Sequence, residues 1–295
     1  MPYNVVMHRR VKFRLRLPSR TIILGERTLV MGVLNITPDS FSDGGEFFTT
    51  EKAVKHALEL EKDGADLIDI GAESTRPGAA AVSIEEELSR VMPVLNALRG
   101  RLRIPISIDT RKAAVAEAAL SAGAEIVNDV SALRFDPALG EIARRRRVPI
   151  ILMHMRGDPV TMQRQPFARN VFRDVLAGLR TAIARARRAR IAESQILLDP
   201  GIGFGKSYRQ NFELLAHLPR LATLGYPLLV GASRKAFLGA ALGSGTSPAP
   251  PDKRIWGTAA TVTAAILNGA HIVRVHDVIE MAQVARIADA VATEL

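Results

Sequence analysis

Eight short runs of apolar, mostly β-branched residues recur along the chain, at 30–35, 67–71, 105–108, 125–129, 149–153, 195–199, 228–231 and 271–275. The segments between them keep a different period. In 50–63 the apolar positions Ala53, Ala57, Leu58 and Leu60 fall on one side of a helix opened by Thr50, whose hydroxyl can cap free backbone N–H groups. The stretch 83–98 opens with Ser83 and carries Glu85, Glu86 and Glu87 in its first turn, where carboxylates meet the positive end of the helix dipole. Similar spacing predicts helices over 111–122, 137–146, 172–192, 211–224, 255–268 and 278–293.

Strand then helix, eight times over, with strands apolar on both faces, predicts a parallel sheet covered by helices. Eight such units in about 260 residues suit a closed barrel better than an open sheet. The expected fold is therefore α/β, a single-domain (β/α)8 TIM barrel. Ahead of it, Val11, Phe13, Leu15 and Leu17 alternate with basic residues. That period of two predicts a strand pairing with 21–24, a short N-terminal β-hairpin that plugs the barrel bottom. Residues 1–20 are set apart as a basic N-terminal extension and 21–295 as the barrel domain. The Gly/Ser/Pro stretch 243–251 reads as a loop inside the seventh unit.

The chain has 295 residues, 47% of them hydrophobic, enough to bury a full core in one large domain. It contains no cysteine, which excludes disulfides, thiolate metal sites and cysteine nucleophiles. No apolar run approaches the roughly 20 residues that span a bilayer, and residues 1–20 lack the apolar stretch of a secretory signal. A cytoplasmic protein with no membrane partner is expected. The net charge of +10 invites a nucleic-acid reading. However, the densest arginine runs, 144–147 and Arg185, Arg187, Arg188 and Arg190, lie on expected helices, where charge runs are usually solvated. Aromatics make up only 5% of the chain, too few for a stacking platform. The charge is better suited to attracting small anionic substrates than nucleic acid.

In a barrel of this kind the loops after the strands build the active site. The expected strand ends read Asn35; Glu73 with Ser74, Thr75 and Arg76; Asp109; Asn128; His154; Asp199; Ser233 with Lys235; and Arg274 with His276. Eight polar ends converging on one mouth predict a shared pocket. Arg274 and His276 follow the eighth strand, where such barrels often hold phosphate beside a helix N-terminus. With Arg76 they make three cations, a set suited to a diphosphate. Asp109, Asn128 and Asp199 admit two readings. They can grip the amino-oxo edge of a planar heterocycle, with Lys235 donating to its carbonyl or a ring nitrogen, or they can be oxygen ligands of a hard metal. Gly201, Gly203 and Gly205 form a glycine-rich loop that would let Phe204 approach a flat ligand.

Whole segments add a more specific reading. Residues 31–45, Met-Gly-Val-Leu-Asn-Ile-Thr-Pro-Asp-Ser-Phe-Ser-Asp-Gly-Gly, and 69–78, Asp-Ile-Gly-Ala-Glu-Ser-Thr-Arg-Pro-Gly, resemble the two signatures of the dihydropteroate synthase family. The segments 106–110, 126–129, 153–155, 199–206, 231–235 and 273–277 resemble the rest of that family's motifs, in order. The resemblance implies a pterin-binding barrel that condenses 6-hydroxymethyl-7,8-dihydropterin diphosphate with p-aminobenzoate to give 7,8-dihydropteroate and diphosphate. By the same resemblance Asp109, Asn128 and Asp199 hold the pterin, Lys235 contacts its ring, and Met153 and Phe204 pack on its faces. Asn35 ligates Mg2+ beside the diphosphate, which Thr75, Arg76, Arg274 and His276 bind. Phe41, Pro77, Lys235 and Ala236 surround p-aminobenzoate once the loops 37–45 and 74–78 close. Asp109, Lys235, Arg274, His276 and Arg76 are the implied catalytic set, and a homodimer the implied assembly.

Three positions depart from the family pattern. Ala236 stands where many members carry a hydroxyl residue that meets the p-aminobenzoate carboxylate, so that contact passes to backbone N–H groups, Ser233 or Arg234. Ala72 replaces a common glycine and Gln210 a common histidine. Two rival readings share much of this pattern: a pterin-binding methyltransferase domain and a non-catalytic paralogue. The intact segment 37–41 and the Arg274/His276 pair favour the synthase over both.

Overall fold

The computed structural model describes residues 10–37, 46–74, 79, 81–158, 161–162, 167–244 and 247–294. Two short strands come first, β1 (Phe13–Arg16) and β2 (Thr21–Leu24), paired antiparallel. Eight parallel strands follow: β3 (Leu29–Asn35), β4 (Leu67–Gly71), β5 (Ile106–Asp109), β6 (Ile126–Asp129), β7 (Ile150–Met153), β8 (Ile196–Asp199), β9 (Leu229–Val230) and β10 (Ile272–Val275). Their spatial order is β8-β7-β6-β5-β4-β3-β10-β9. A parallel bridge from Leu198 to Leu228 joins the two ends, with the Leu198 N–H donating to the Pro227 carbonyl at 3.0 Å. The sheet is thus a nearly closed barrel, as the repeated strand-helix pattern predicts.

Around it lie α1 (Glu46–Lys62), α2 (Ile84–Leu98), α3 (Ala113–Ser121), α4 (Ala138–Arg146), α5 (Val171–Arg188), α6 (Tyr208–Ala216), α7 (Leu218–Ala222), α8 (Ala236–Leu242), α9 (Ile255–Leu267) and α10 (Val278–Thr293). Several start where the sequence provides an acceptor for orphan N–H groups. Ser83 accepts from the Glu86 N–H at 3.1 Å, and Asn170 from the Arg173 N–H at 2.9 Å. Ser207 and Gln210 cap α6 reciprocally. The single helix expected over 211–224 is two, because Pro219 near the start of α7 has no N–H to continue the ladder. The seventh unit also contains α8, a seven-residue helix too short to show a period.

Alternate strand residues divide between two apolar compartments, the period of two made physical. Val30, Leu34, Ile68, Ile70, Ile108, Val127, Ile150, Leu152, Ile196 and Leu198 belong to the layer shared with the helices. Leu29, Met31, Leu67, Ile126, Ile151, Leu197, Leu229 and Ile272 instead pack inside the barrel with Leu15, Leu17 and Leu24 of the hairpin. The hairpin therefore seals the N-terminal end of the barrel. It also spans residue 20, so residues 10–20 pack as part of the barrel body. Arg10 reinforces this by bonding Thr28 Oγ1 at 2.6 Å and pairing with Asp289 on α10. Above the apolar layer the same inward parity continues into polar residues: Asp69, Ser107, Asp109, Asn128, Asp199 and Arg274.

Candidate active site

Arg274 organises the polar layer. On β10 it shares inward parity with Ile272, and its guanidinium reaches across the barrel. Nε donates to Asp69 Oδ2 at 2.6 Å, and Nη2 donates to Asp109 Oδ2 at 3.0 Å. Asn128 Nδ2 donates to the same Asp69 oxygen at 2.9 Å. Asp69 is fully buried, and its Oδ2 accepts from both Arg274 and Asn128. Burial pushes the Asp109 carboxyl above the usual carboxylate range; the charge of Asp69 adds to this, and Arg274 opposes it. Asp69 was not singled out in the sequence. It sits mid-strand in an apolar run, two residues before Gly71 and two after Leu67, on the inward parity.

Asp199 ends β8 and is buried. Its Oδ1 accepts from the Gly201 N–H at 2.6 Å, which fixes the carboxylate's orientation. Burial raises its pKa, against the pull of Lys235. The Lys235 ammonium lies 4.3 Å from the Phe204 ring centroid, a cation–π contact, and also donates to the Ile202 carbonyl. Burial lowers Lys235 to about 8, with Asp199 acting the other way. Met153 and Phe204 meet in a small apolar cluster with Val130, Met155 and Met162. The loop residue Gly203 has φ 87°, and a Cβ there would stand 2.9 Å from Lys235 Cδ. The positive φ at 203 favours glycine, and glycine at 201 is required by the backbone carbonyl of His154, 1.9 Å from where its Cβ would be.

A second buried lysine, Lys206, holds this loop from beneath. Its Nζ donates to the Gly201 and Phe204 carbonyls at 2.7 and 3.0 Å and lies 3.1 Å from His154 Nδ1. Burial lowers its pKa to about 7. His154, expected at the mouth, is placed otherwise. Its ring packs against α5 at Gly178, where a Cβ would come within 2.3 Å of the ring. Met153 faces inward, so the next residue along the strand faces the helix layer. Burial and the nearby Lys206 charge depress the His154 pKa strongly, keeping it neutral.

His276, following β10, bonds Ser233 Oγ through Nδ1 at 3.0 Å. Burial, then the Arg274 and Arg234 charges, lower its pKa to about 3. At neutral pH it is not the third cation expected from sequence but a neutral hydrogen-bonding imidazole. Arg234 is engaged with Asp277, Nε to Oδ2 at 3.0 Å, and Ser233 with His276. Neither is a free substitute for the hydroxyl missing at Ala236, the exposed first residue of α8. Glu73 lies in a buried ion cluster: Arg111 donates to it at 2.8 Å and Lys112 at 2.6 Å, and Lys112 also pairs with fully buried Glu87. This cluster fixes the chain immediately before Ser74. Asn35 stands at the top of β3 opposite Gly71, which in turn registers with Asp109. Phe41, Thr75, Arg76 and Pro77 lie outside the described residues.

A carboxylate–amide–carboxylate set, a lysine over a phenylalanine and a bridging arginine occupy one end of an eight-stranded barrel. Residues 31–276 match the model of a family described as pterin binding enzyme. The dihydropteroate synthase of Synechocystis sp. is 50% identical over 266 residues, covering 90% of this chain and 91% of that protein. The chain belongs to the dihydropteroate synthase family. The Bacillus subtilis synthase is 46% identical over 265 residues, covering 90% of this chain and 89% of that protein. Among solved structures, the Yersinia pestis dihydropteroate synthase in a sulfonamide drug complex superposes with a TM-score of 0.88 at 44% identity, covering 95% of this chain and 100% of that one. The Xanthomonas albilineans synthase with 4-aminobenzoic acid gives 0.87 at 45%, covering 95% and 98%.

Because Asp69 both repels the Asp109 carboxylate and competes for Arg274, Asp69→Asn should make Asp109 ionise at lower pH. Carbon NMR of labelled aspartates reads this directly, and an unchanged or higher Asp109 titration would contradict the charge arrangement described.

Proposed function

We propose that the chain is a transferase that condenses 6-hydroxymethyl-7,8-dihydropterin diphosphate with p-aminobenzoate, giving 7,8-dihydropteroate and diphosphate. The observation that carries this reading is the Arg274 bridge. One guanidinium touches both Asp69 and Asp109 while leaving other N–H donors for an anion. The family membership and the synthase relatives support the same reaction and disfavour the methyltransferase and non-catalytic alternatives. Asp199, oriented by Gly201, accepts the two adjacent N–H groups of the pterin edge. Asn128 supplies a further polar contact, and Lys235 donates to the ring carbonyl. Met153 and Phe204 flank the ring, which favours the heterocycle reading of the acidic set over a bare metal site.

The reaction breaks the bond between the pterin methylene carbon and the diphosphate oxygen. Positive charge develops on the pterin-methyl group and negative charge on the leaving diphosphate. Arg274 and Arg76 offset the latter, with Thr75 and neutral His276 as hydrogen-bond donors. Asp109, on the other side of Arg274, stabilises the pterin cation. The arylamine is nucleophilic when neutral, so no strong base is needed. Loops 37–45 and 74–78, bearing Phe41 and Pro77, enclose p-aminobenzoate and keep water from the cation. With the Ser233 and Arg234 side chains engaged elsewhere and Ala236 lacking a hydroxyl, backbone N–H groups and Lys235 meet the acceptor's carboxylate. Sulfonamides share the shape of p-aminobenzoate and should compete with it.

Mg2+ fits as an ion carried with the diphosphate. Among the described residues no three acidic or histidine side chains gather as a metal cage. Asn35 would hold it through its amide oxygen, beside the oxygens of the substrate phosphates. Bound there, Mg2+ would add charge neutralisation on the leaving group. We place the enzyme in the cytoplasm, a reading supported by the cysteine-free sequence. Among the described residues no helix is long and apolar enough to cross a membrane.

A homodimer is supported by exposed apolar side chains on the last helices, with Trp256 79%, Ile287 66% and Ile279 49% exposed. Sedimentation at twice the chain mass is expected, and a monomer at micromolar concentration would contradict it. For the reaction, diphosphate release should require both substrates and stop on chelation of Mg2+. Asp199→Ala should weaken pterin binding by about 100-fold or more, the scale of losing two hydrogen bonds to a charged group, whereas Arg76→Ala should chiefly slow turnover. A folded protein that makes no dihydropteroate would sink the synthase reading; equal loss of pterin affinity in both variants would refute the division of the site.

A further inference from the structure

The opposite, N-terminal end of the barrel carries a cleft of about 660 Å3 lined by Arg16, Leu17, Arg144, Arg146, Arg147 and Arg190, with Gln195 alongside. Three separate elements supply its arginines: β1, the end of α4 and the turn after α5. No acidic residue lines it. Glu141 pairs with Arg144 at 2.6 Å, and Glu117 holds Arg146 at 3.1 Å from outside the cleft. Arg16, Arg147 and Arg190 are exposed and have no ion-pair partner among the described residues.

Two of these residues are also held in strained backbone. Arg147 has φ 54° and Arg190 φ 58°, the left-handed region that glycine occupies at helix C-termini without steric cost. Attraction to a helix C-terminus accounts for basic residues in the last turn of α4. It does not account for Arg16 on a different element, nor for arginine at two positions where glycine is less costly.

We propose that this cleft binds a small multivalent phosphate anion, a di- or triphosphate chain. Guanidinium forks match phosphate oxygens bidentately, and the volume is that of a small-molecule site. No aromatic side chain lines the cleft, so a phosphate chain is recognised and a stacked base is not. The site is remote from the barrel mouth and independent of the reaction assigned there.

Titration calorimetry of the whole chain with inorganic tripolyphosphate tests this. Arg147→Gly/Arg190→Gly should lose at least tenfold in affinity while melting no lower than the parent, since glycine relieves both backbones; Arg16→Ala should lose affinity too. Arg274→Ala should retain this binding, and the cleft variants should retain dihydropteroate formation. Unchanged affinity in the cleft variants, or loss confined to Arg274→Ala, overturns the proposal. A nucleoside triphosphate should bind no tighter than tripolyphosphate; clearly tighter binding would overturn recognition by phosphate alone.

Discussion

The site depends on one cation shared by two buried carboxylates. Asp69 and Asp109 face each other from neighbouring strands inside the barrel, and burial with the Asp69 charge raises the Asp109 carboxyl to about 8 even with Arg274 opposing it. Arg274, entering from β10, holds both, and Asn128 completes the set by donating to Asp69. A lysine at 274 would be a poor substitute, because the bridge uses two donors of one planar group. Arg274, which we assign to the leaving diphosphate, is in direct contact with Asp109, which we assign to the pterin cation. The groups we assign to the two ends of the breaking bond are thereby already hydrogen-bonded to each other in the protein.

The rest of the barrel can be read as support for that layer. The hairpin and the apolar interior seal the N-terminal end, so water reaches the polar layer from one side. Lys206 ties down the glycine loop that orients Asp199 and carries Phe204. The cluster of Glu73, Arg111, Lys112 and Glu87 anchors the chain leading into residues 75–78. These ionic groups are buried and paired, where breaking one partner costs far more than at the surface. Three exposed arginines without ion-pair partners among the described residues, Arg16, Arg147 and Arg190, lie instead at the opposite end, away from the chemistry.

Much of this was legible in the sequence, and what was missed has a physical reason. The strand-helix alternation predicts the barrel, and the polar strand ends locate Asn35, Asp109, Asn128, Asp199, Lys235, Arg274 and His276. Reading strand ends alone admits His154 and omits Asp69. Inward parity corrects both: 67, 69 and 71 face the interior, whereas 154 follows inward-facing 153. Charge state is not legible from residue type. His276 is neutral because burial and two arginines depress it, and Lys206 is a loop staple because its ammonium is surrounded by carbonyls. The break at Pro219 was in the sequence but outweighed by apolar spacing, and α8 is too short for spacing to reveal.

The most direct test of the shared-cation account is a double-mutant cycle of Arg274→Lys and Asp109→Asn, read as kcat/KM for dihydropteroate formation. If one guanidinium links the pterin carboxylate to the leaving group, the two losses should fall short of additive by about 1 to 3 kcal/mol. Additivity within about 0.5 kcal/mol, the behaviour of independent sites, would contradict it.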